Sequence, residues 1–307
     1  MKYFDYDAYI KQLEEIVSID SGSFDPEGVD KVAEIMARKY KELGLSVTPK
    51  RFDERAGFCL EVKNFPDEEE IDILMVGHMA TVFPKGTVAE RPFTMDEKKA
   101  YGPGVDDMKS GLLNMYYVVK ELVKENTKLR LCLALNSDEE ISSRYSNPWI
   151  SNLAKHAKCG LVFEPARKSG ALVSDRKGLA RYAIDFRGIY AHAGVNPQDG
   201  ASAIHEMAEW ITRLVPLNDY ENGTSLNVGI VSGGMGANTI AEHARCEVDI
   251  RFTNIEACYK IESVFENMRT NPIIPGVTAS VTRVGFRPPM VLEICWRLCV
   301  KKVKNMV

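Results

Sequence analysis

Four short stretches carry groups able to do chemistry. "IDILMVGH" (71–78) is an apolar run ending in His78, and "GPGVDDMKSG" (102–111) sets Asp106 and Asp107 where a helix should begin. "NSDEEIS" (136–142) presents Glu139 and Glu140 side by side after another apolar run, and "VFEP" (162–165) carries Glu164. An imidazole and carboxylates converging from separate strand ends suit zinc, manganese or cobalt. Two adjacent glutamates can divide labour, one binding a cation while the other stays free to move protons. Each group also has a plainer use. Acids opening a helix complement its dipole and cap its free N–H groups, and a lone histidine after a buried strand commonly serves the core. Taken singly, none of the four decides the matter.

The elements that must position these groups follow from periodicity. Residues 7–17 and 27–43 have helical spacing, with Val29, Val32, Ile35, Met36 and Tyr40 on one face of the second. Residues 45–52, 58–65, 71–78, 128–140 and 159–165 read as strands, and 105–126 as a long helix. Strands separated by helices predict an α/β layer with a mainly parallel sheet, whose chemistry gathers at the carboxyl ends of its strands. From Lys177 the rhythm changes. "GLARYAIDFRG" alternates, 201–217 is helical, "SLNVGIVSGG" and "AEHARCEVDIRF" are strands, 255–270 is helical and "GVTASVTRV" is a strand. That β-α-β-β-α-β order predicts an inserted α+β, ferredoxin-like domain. The expected division is 1–176, 177–285 and a short remnant at 286–307, with an apolar, basic helix over 291–307.

Composition removes several classes. A formal charge of -4 spread over 307 residues gives no basic field for nucleic acid. No stretch approaches the roughly 20 apolar residues that span a bilayer. The N-terminus "MKYFDYDAYIKQLEEIV" lacks the uninterrupted apolar core of a signal peptide. The seven cysteines form no C-x-x-C pair, in keeping with reduced thiols and a cytoplasmic location.

In order along the chain, "GHMATVFPKG", "GPGVDDMKSG", "NSDEEISS", "VFEP" and "RKGLARYAIDFRGIYAHAGVNPQDGASAI" resemble the zinc-dependent peptidases and deacylases related to glutamate carboxypeptidase, aminoacylase and succinyl-diaminopimelate desuccinylase. The likeness is to the glutamate carboxypeptidase branch and runs from about residue 7 to Pro289. It implies a catalytic α/β domain with two divalent ions and a lid domain that forms a homodimer. His78 and Glu164 would hold one ion, Asp107 would bridge both, Glu140 would hold the second, and Glu139 would be the general base. In the lid, His192 would polarise the scissile carbonyl, while Asn238, Arg251 and Arg287 would bind a substrate carboxylate, for which a guanidinium fork is suited. The substrate implied is a small peptide or an N-acyl amino acid cleaved next to a free carboxylate.

The pattern departs from that family at two places. Ala80 stands where an aspartate normally orients the metal histidine, a loss that costs on the order of 10–100-fold in affinity or activity and leaves a water or a backbone carbonyl to take the imidazole's other N–H. The family's last metal ligand is a histidine near the C-terminus, whereas the five histidines here are His78, His156, His192, His205 and His243. The expectation is a C-terminally truncated, weakened site that keeps one ion, with a metal-binding, dimerising protein without turnover as the alternative.

Overall fold

The computed structural model describes residues 1–66 and 70–291. The chain divides into two compact units, Met1–Ala171 and from Leu172 onward, a few residues before the expected Lys177. Most of the expected helix over 291–307 lies outside the described residues.

In the first unit, α1 (Tyr6–Val17) and α2 (Pro26–Glu42) start on aspartate caps, Asp5 accepting from the Ala8 amide at 3.0 Å and Asp25 preceding Pro26 at the first helical position. Strands β1 (Ser46–Lys50), β2 (Cys59–Lys63) and β3 (Ile73–His78) follow. A one-turn helix α3 (Thr87–Glu90) and a ribbon of β4 (Thr94–Met95) and β5 (Ala100–Tyr101) lead to α4 (Ser110–Lys124). Then come β6 (Leu131–Asn136), α5 (Asn147–Lys155) and β7 (Gly160–Val162). The sheet order is β1-β2-β6-β3-β7. β2 is antiparallel to both of its neighbours, and β6, β3 and β7 are mutually parallel, so four strands run one way and only β2 opposes them.

Alternation along the central strands builds two layers. Met75 on β3 and Leu131, Leu133 and Leu135 on β6 pack under α1, α2 and α4. Leu74 on β3, with Cys132 and Ala134 on β6, points the other way, towards Leu153 on α5. Sequence periodicity places the long helix from 105, but regular α-helix begins only at Ser110. Gly104 takes φ +72°, and Asp107 at φ −112°, ψ 98° leaves the helical region, so the chain turns before it winds. That turn presents the Asp107 carboxylate.

The second unit is an antiparallel sheet in the order β10-β12-β8-β13. Its elements are β8 (Gly178–Arg187), β9 (Ala191–His192), α6 (Ala203–Leu214), β10 (Ser225–Gly233), β11 (Thr239–Ile240), β12 (His243–Phe252), α7 (Ile255–Thr270) and β13 (Thr278–Arg287). With the small β9–β11 ribbon set aside, this is the β-α-β-β-α-β arrangement expected of the lid. Ala180, Tyr182, Ile184 and Phe186 alternate inward on β8 and pack with Trp210 of α6 and Phe265 of α7. Among the described residues no helix is long and apolar enough to cross a membrane.

Candidate metal centre

Strand order decides which groups meet. β3 lies between β6 and β7, with His78 level with Asn136 on one side and Val76 level with Val162 on the other. The chain leaving β6 therefore brings Glu139 and Glu140 past one side of His78, and the chain leaving β7 brings Glu164 to the other. Asp107 arrives from the turn ahead of α4. That helix can approach so closely because Gly111 faces the Phe163 carbonyl, where a Cβ would come within 2.1 Å of the oxygen.

His78 is buried, at 1% exposure. Its Nδ1 lies 2.7 Å from the Ala80 carbonyl oxygen, which can only accept, so Nδ1 carries the proton. The other nitrogen, Nε2, then offers a lone pair. It faces Asp107 Oδ1 at 3.0 Å and Glu164 Oε1 at 3.5 Å. One ligand atom each from His78, Asp107 and Glu140 lies within 4.8 Å of the others, and the same holds for His78, Glu139 and Glu164. Four carboxylates thus surround one imidazole lone pair, an arrangement of acceptors with no proton to share.

The carboxyls respond to that crowding. The Glu140 carboxyl is pushed above its ordinary range by burial, then by the negative charge of Asp107, against the opposing pull of His78 and the Val82 amide. Glu164 is raised likewise, by burial first, with Asp107, Glu139 and Glu140 adding to it. A divalent cation relieves all of this at once. One imidazole nitrogen and several carboxylate oxygens form a donor set that fits zinc or manganese.

Of the two replacements expected behind His78, a water or a backbone carbonyl, the structure supplies the carbonyl, and residue types could not reveal whose. Ala80 lacks the carboxylate that the resemblance leads one to expect, yet its own backbone oxygen takes the imidazole proton. Backbone acceptors carry no sequence signature. Lys109 is similarly inconspicuous in sequence. It is 1% exposed, donates from Nζ to the Ile19 carbonyl at 2.7 Å, and is lowered to about 8 by burial.

The four residues expected in a lid form two pairs. His192 on β9 is level with Thr239 on β11, and the Ala193 amide donates to the Asn238 carbonyl at 2.9 Å, so His192 and Asn238 are neighbours. His192 Nδ1 accepts from the Gly194 amide at 3.1 Å, which leaves the proton on the other ring nitrogen, Nε2. Arg251 and Arg287 flank Leu179 on the two strands bordering β8. The β9–β11 ribbon lies beyond the opposite end of β8, at Arg187, about 25 Å away along the strand. Arg251 is engaged by Asp249, with Nε 2.7 Å from Oδ1, and Arg287 is exposed.

Residues 174–275 match the model of the M20 peptidase dimerisation domain. Carboxypeptidase G2 of Pseudomonas sp. (strain RS-16) is 30% identical over 287 residues, covering 92% of this chain and 68% of that protein. Acetylornithine deacetylase of Proteus mirabilis (strain HI4320) is 28% identical over 224 residues, covering 64% of this chain and 57% of that one. In fold, the aminopeptidase PepT of Bacillus cereus ATCC 10987 superposes with a TM-score of 0.76 at 21% identity, over 98% of this chain and 82% of that one. With its strand-end carboxylates gathered on one imidazole and this agreement along the chain, the protein belongs to the M20 family of metal-dependent peptidases and deacylases.

Proposed function

We propose that the chain hydrolyses an amide or peptide bond next to a free carboxylate, on a small peptide or an N-acyl amino acid. What carries this reading is the convergence on His78 Nε2, with its proton-bearing nitrogen held by Ala80 and four carboxylates in front of it. In our assignment His78 and Glu164 would hold one divalent ion and Glu140 the second, with Asp107 serving as a ligand to either. Zinc suits the mixed nitrogen and oxygen donors, with cobalt or manganese as substitutes. When bound, such ions supply Lewis-acid polarisation of the scissile carbonyl and acidify the attacking water.

The chain's own groups do the rest. Glu139 takes the proton from the water and delivers it to the departing amine. Its neighbour Glu140 is committed to the ion, so the two adjacent carboxylates do not compete for one task. His192, with its proton on Nε2, is a donor of the kind a developing oxyanion needs. Arg251 and Arg287 are assigned to the substrate carboxylate, and Asn238, about 25 Å away beside His192, would reach the same carboxylate only from a second copy of the chain. Exchanging Asp249 for that carboxylate would keep the Arg251 guanidinium paired. The lid is assigned to homodimer formation, and the buried, unpaired Cys59, Cys132, Cys246 and Cys258 accord with a cytoplasmic location.

The test is hydrolysis of N-acyl amino acids and acidic dipeptides with zinc or cobalt added. Glu139→Gln should lower turnover by about 10²–10⁴-fold, the size of a general-base contribution, while keeping the bound metal. Full activity in that variant would remove Glu139 from the mechanism. A second reading has its own support. Both candidate ligand groups draw on the one imidazole of His78, which leaves carboxylates alone for a second ion among the described residues. A chain holding one ion without turnover would fit that reading, and elemental analysis beside the activity screen separates the two.

A further inference from the structure

We propose that Asp138 is a positioning residue that sets where Glu139 and Glu140 project, an inference resting on the roles assigned to those two glutamates. Asp138 directly precedes them, yet it is 0% exposed. Its carboxylate is satisfied entirely by the far end of the same loop. Oδ2 accepts from the Tyr145 amide at 2.6 Å and the Ser146 amide at 3.1 Å, and Oδ1 accepts from the Ser146 hydroxyl. The Asp138 carbonyl also accepts from the Ile141 and Ser143 amides. These bonds close the neck of a compact loop, 138–146, whose ends are tied together and whose body is short and turned. Ser146 is itself 0% exposed and sits at the start of α5, so the neck is anchored to both β6 and the helix. With both ends held, the glutamates beside the neck have little freedom to swing away from His78. A surface acid would give no such constraint, because its partners would be water.

The test is cobalt titration of the full chain, followed by visible absorption, at a temperature where circular dichroism shows each variant folded. Asp138→Asn keeps the side chain's size but loses its charge and one acceptor, and should weaken cobalt binding about 10–100-fold with an altered spectrum. Ser146→Ala, which removes one of the three bonds to the carboxylate, should shift binding the same way by less. In turnover, kcat should fall more than KM rises. An Asp138→Asn chain that melts earlier yet binds cobalt with wild-type affinity and spectrum would overturn the inference, leaving Asp138 a purely structural residue. A wild-type chain that takes up no cobalt would instead overturn the metal-site reading beneath it.

Discussion

At His78 the imidazole is held from behind by the Ala80 carbonyl, so its free nitrogen meets Asp107 and Glu164 with no proton to offer. The penalty shows in Glu140 and Glu164, both raised above the ordinary carboxyl value of 4.5. In the metal-free fold these groups hold protons more tightly than in the unfolded chain. Their contribution to stability is therefore lost as pH rises above that value, and a cation, which must displace the protons, restores it. The rise in melting temperature on adding zinc should thus be larger at pH 7 than at pH 5, and an equal rise at both would count against these carboxylates as ligands. Lys109 has the opposite arithmetic. Its folded value of about 8 lies below the ordinary 10.5, so the unfolded chain keeps the proton longer and stability increases as pH climbs between the two. Relative to a Lys109→Met chain, the wild type should gain on the order of 3 kcal/mol across that window in urea unfolding.

At the scale of elements, two close contacts decide whether the parts stay in register. Gly111 lets α4 touch the backbone of Phe163, one residue before Glu164. Gly111→Ala forces a Cβ against a carbonyl oxygen that has no flexible side chain to yield. A loss of about 1–3 kcal/mol in stability is expected, with a matching loss of zinc affinity as Glu164 is pushed aside. In the second unit, Glu206 is 1% exposed and accepts from the Trp210 indole at 3.0 Å and from the Ile273 and Ile274 amides at 3.0 and 2.7 Å. It ties α6 to the turn before β13. Glu206→Ala strands three donors in the interior and should cost about 2–4 kcal/mol, read as a lower urea midpoint.

For the molecule as a whole, the sheet of the second unit ends, among the described residues, in β10 and β13, and β10 exposes Ile230 at 59% and Val231 at 56%. An open strand edge with apolar neighbours is a ready pairing surface. If two copies join there, sedimentation should report about twice the 34.4 kDa of one chain, and Ile230→Lys should return the single-chain mass without altering zinc uptake. The two pairs of lid residues bear on the same question. His192 with Asn238, and Arg251 with Arg287, lie at opposite ends of β8, about 25 Å apart, too far to attend one small substrate from a single chain.

The sequence by itself determined the α/β and α+β halves and the order of strand-end acids, because hydrophobic periodicity and residue type are local properties of the chain. Helix α5 and the β9–β11 ribbon are not legible in that pattern, being short segments whose burial comes from distant partners. Only the tertiary structure decided that β3 runs between β6 and β7, and hence that His78, Asp107, Glu139, Glu140 and Glu164 converge. It alone also gave Ala80's carbonyl to the imidazole and Asp138's carboxylate to the loop neck. Strand order and backbone acceptors depend on contacts between segments far apart in the chain, and a one-dimensional pattern does not encode them residue by residue.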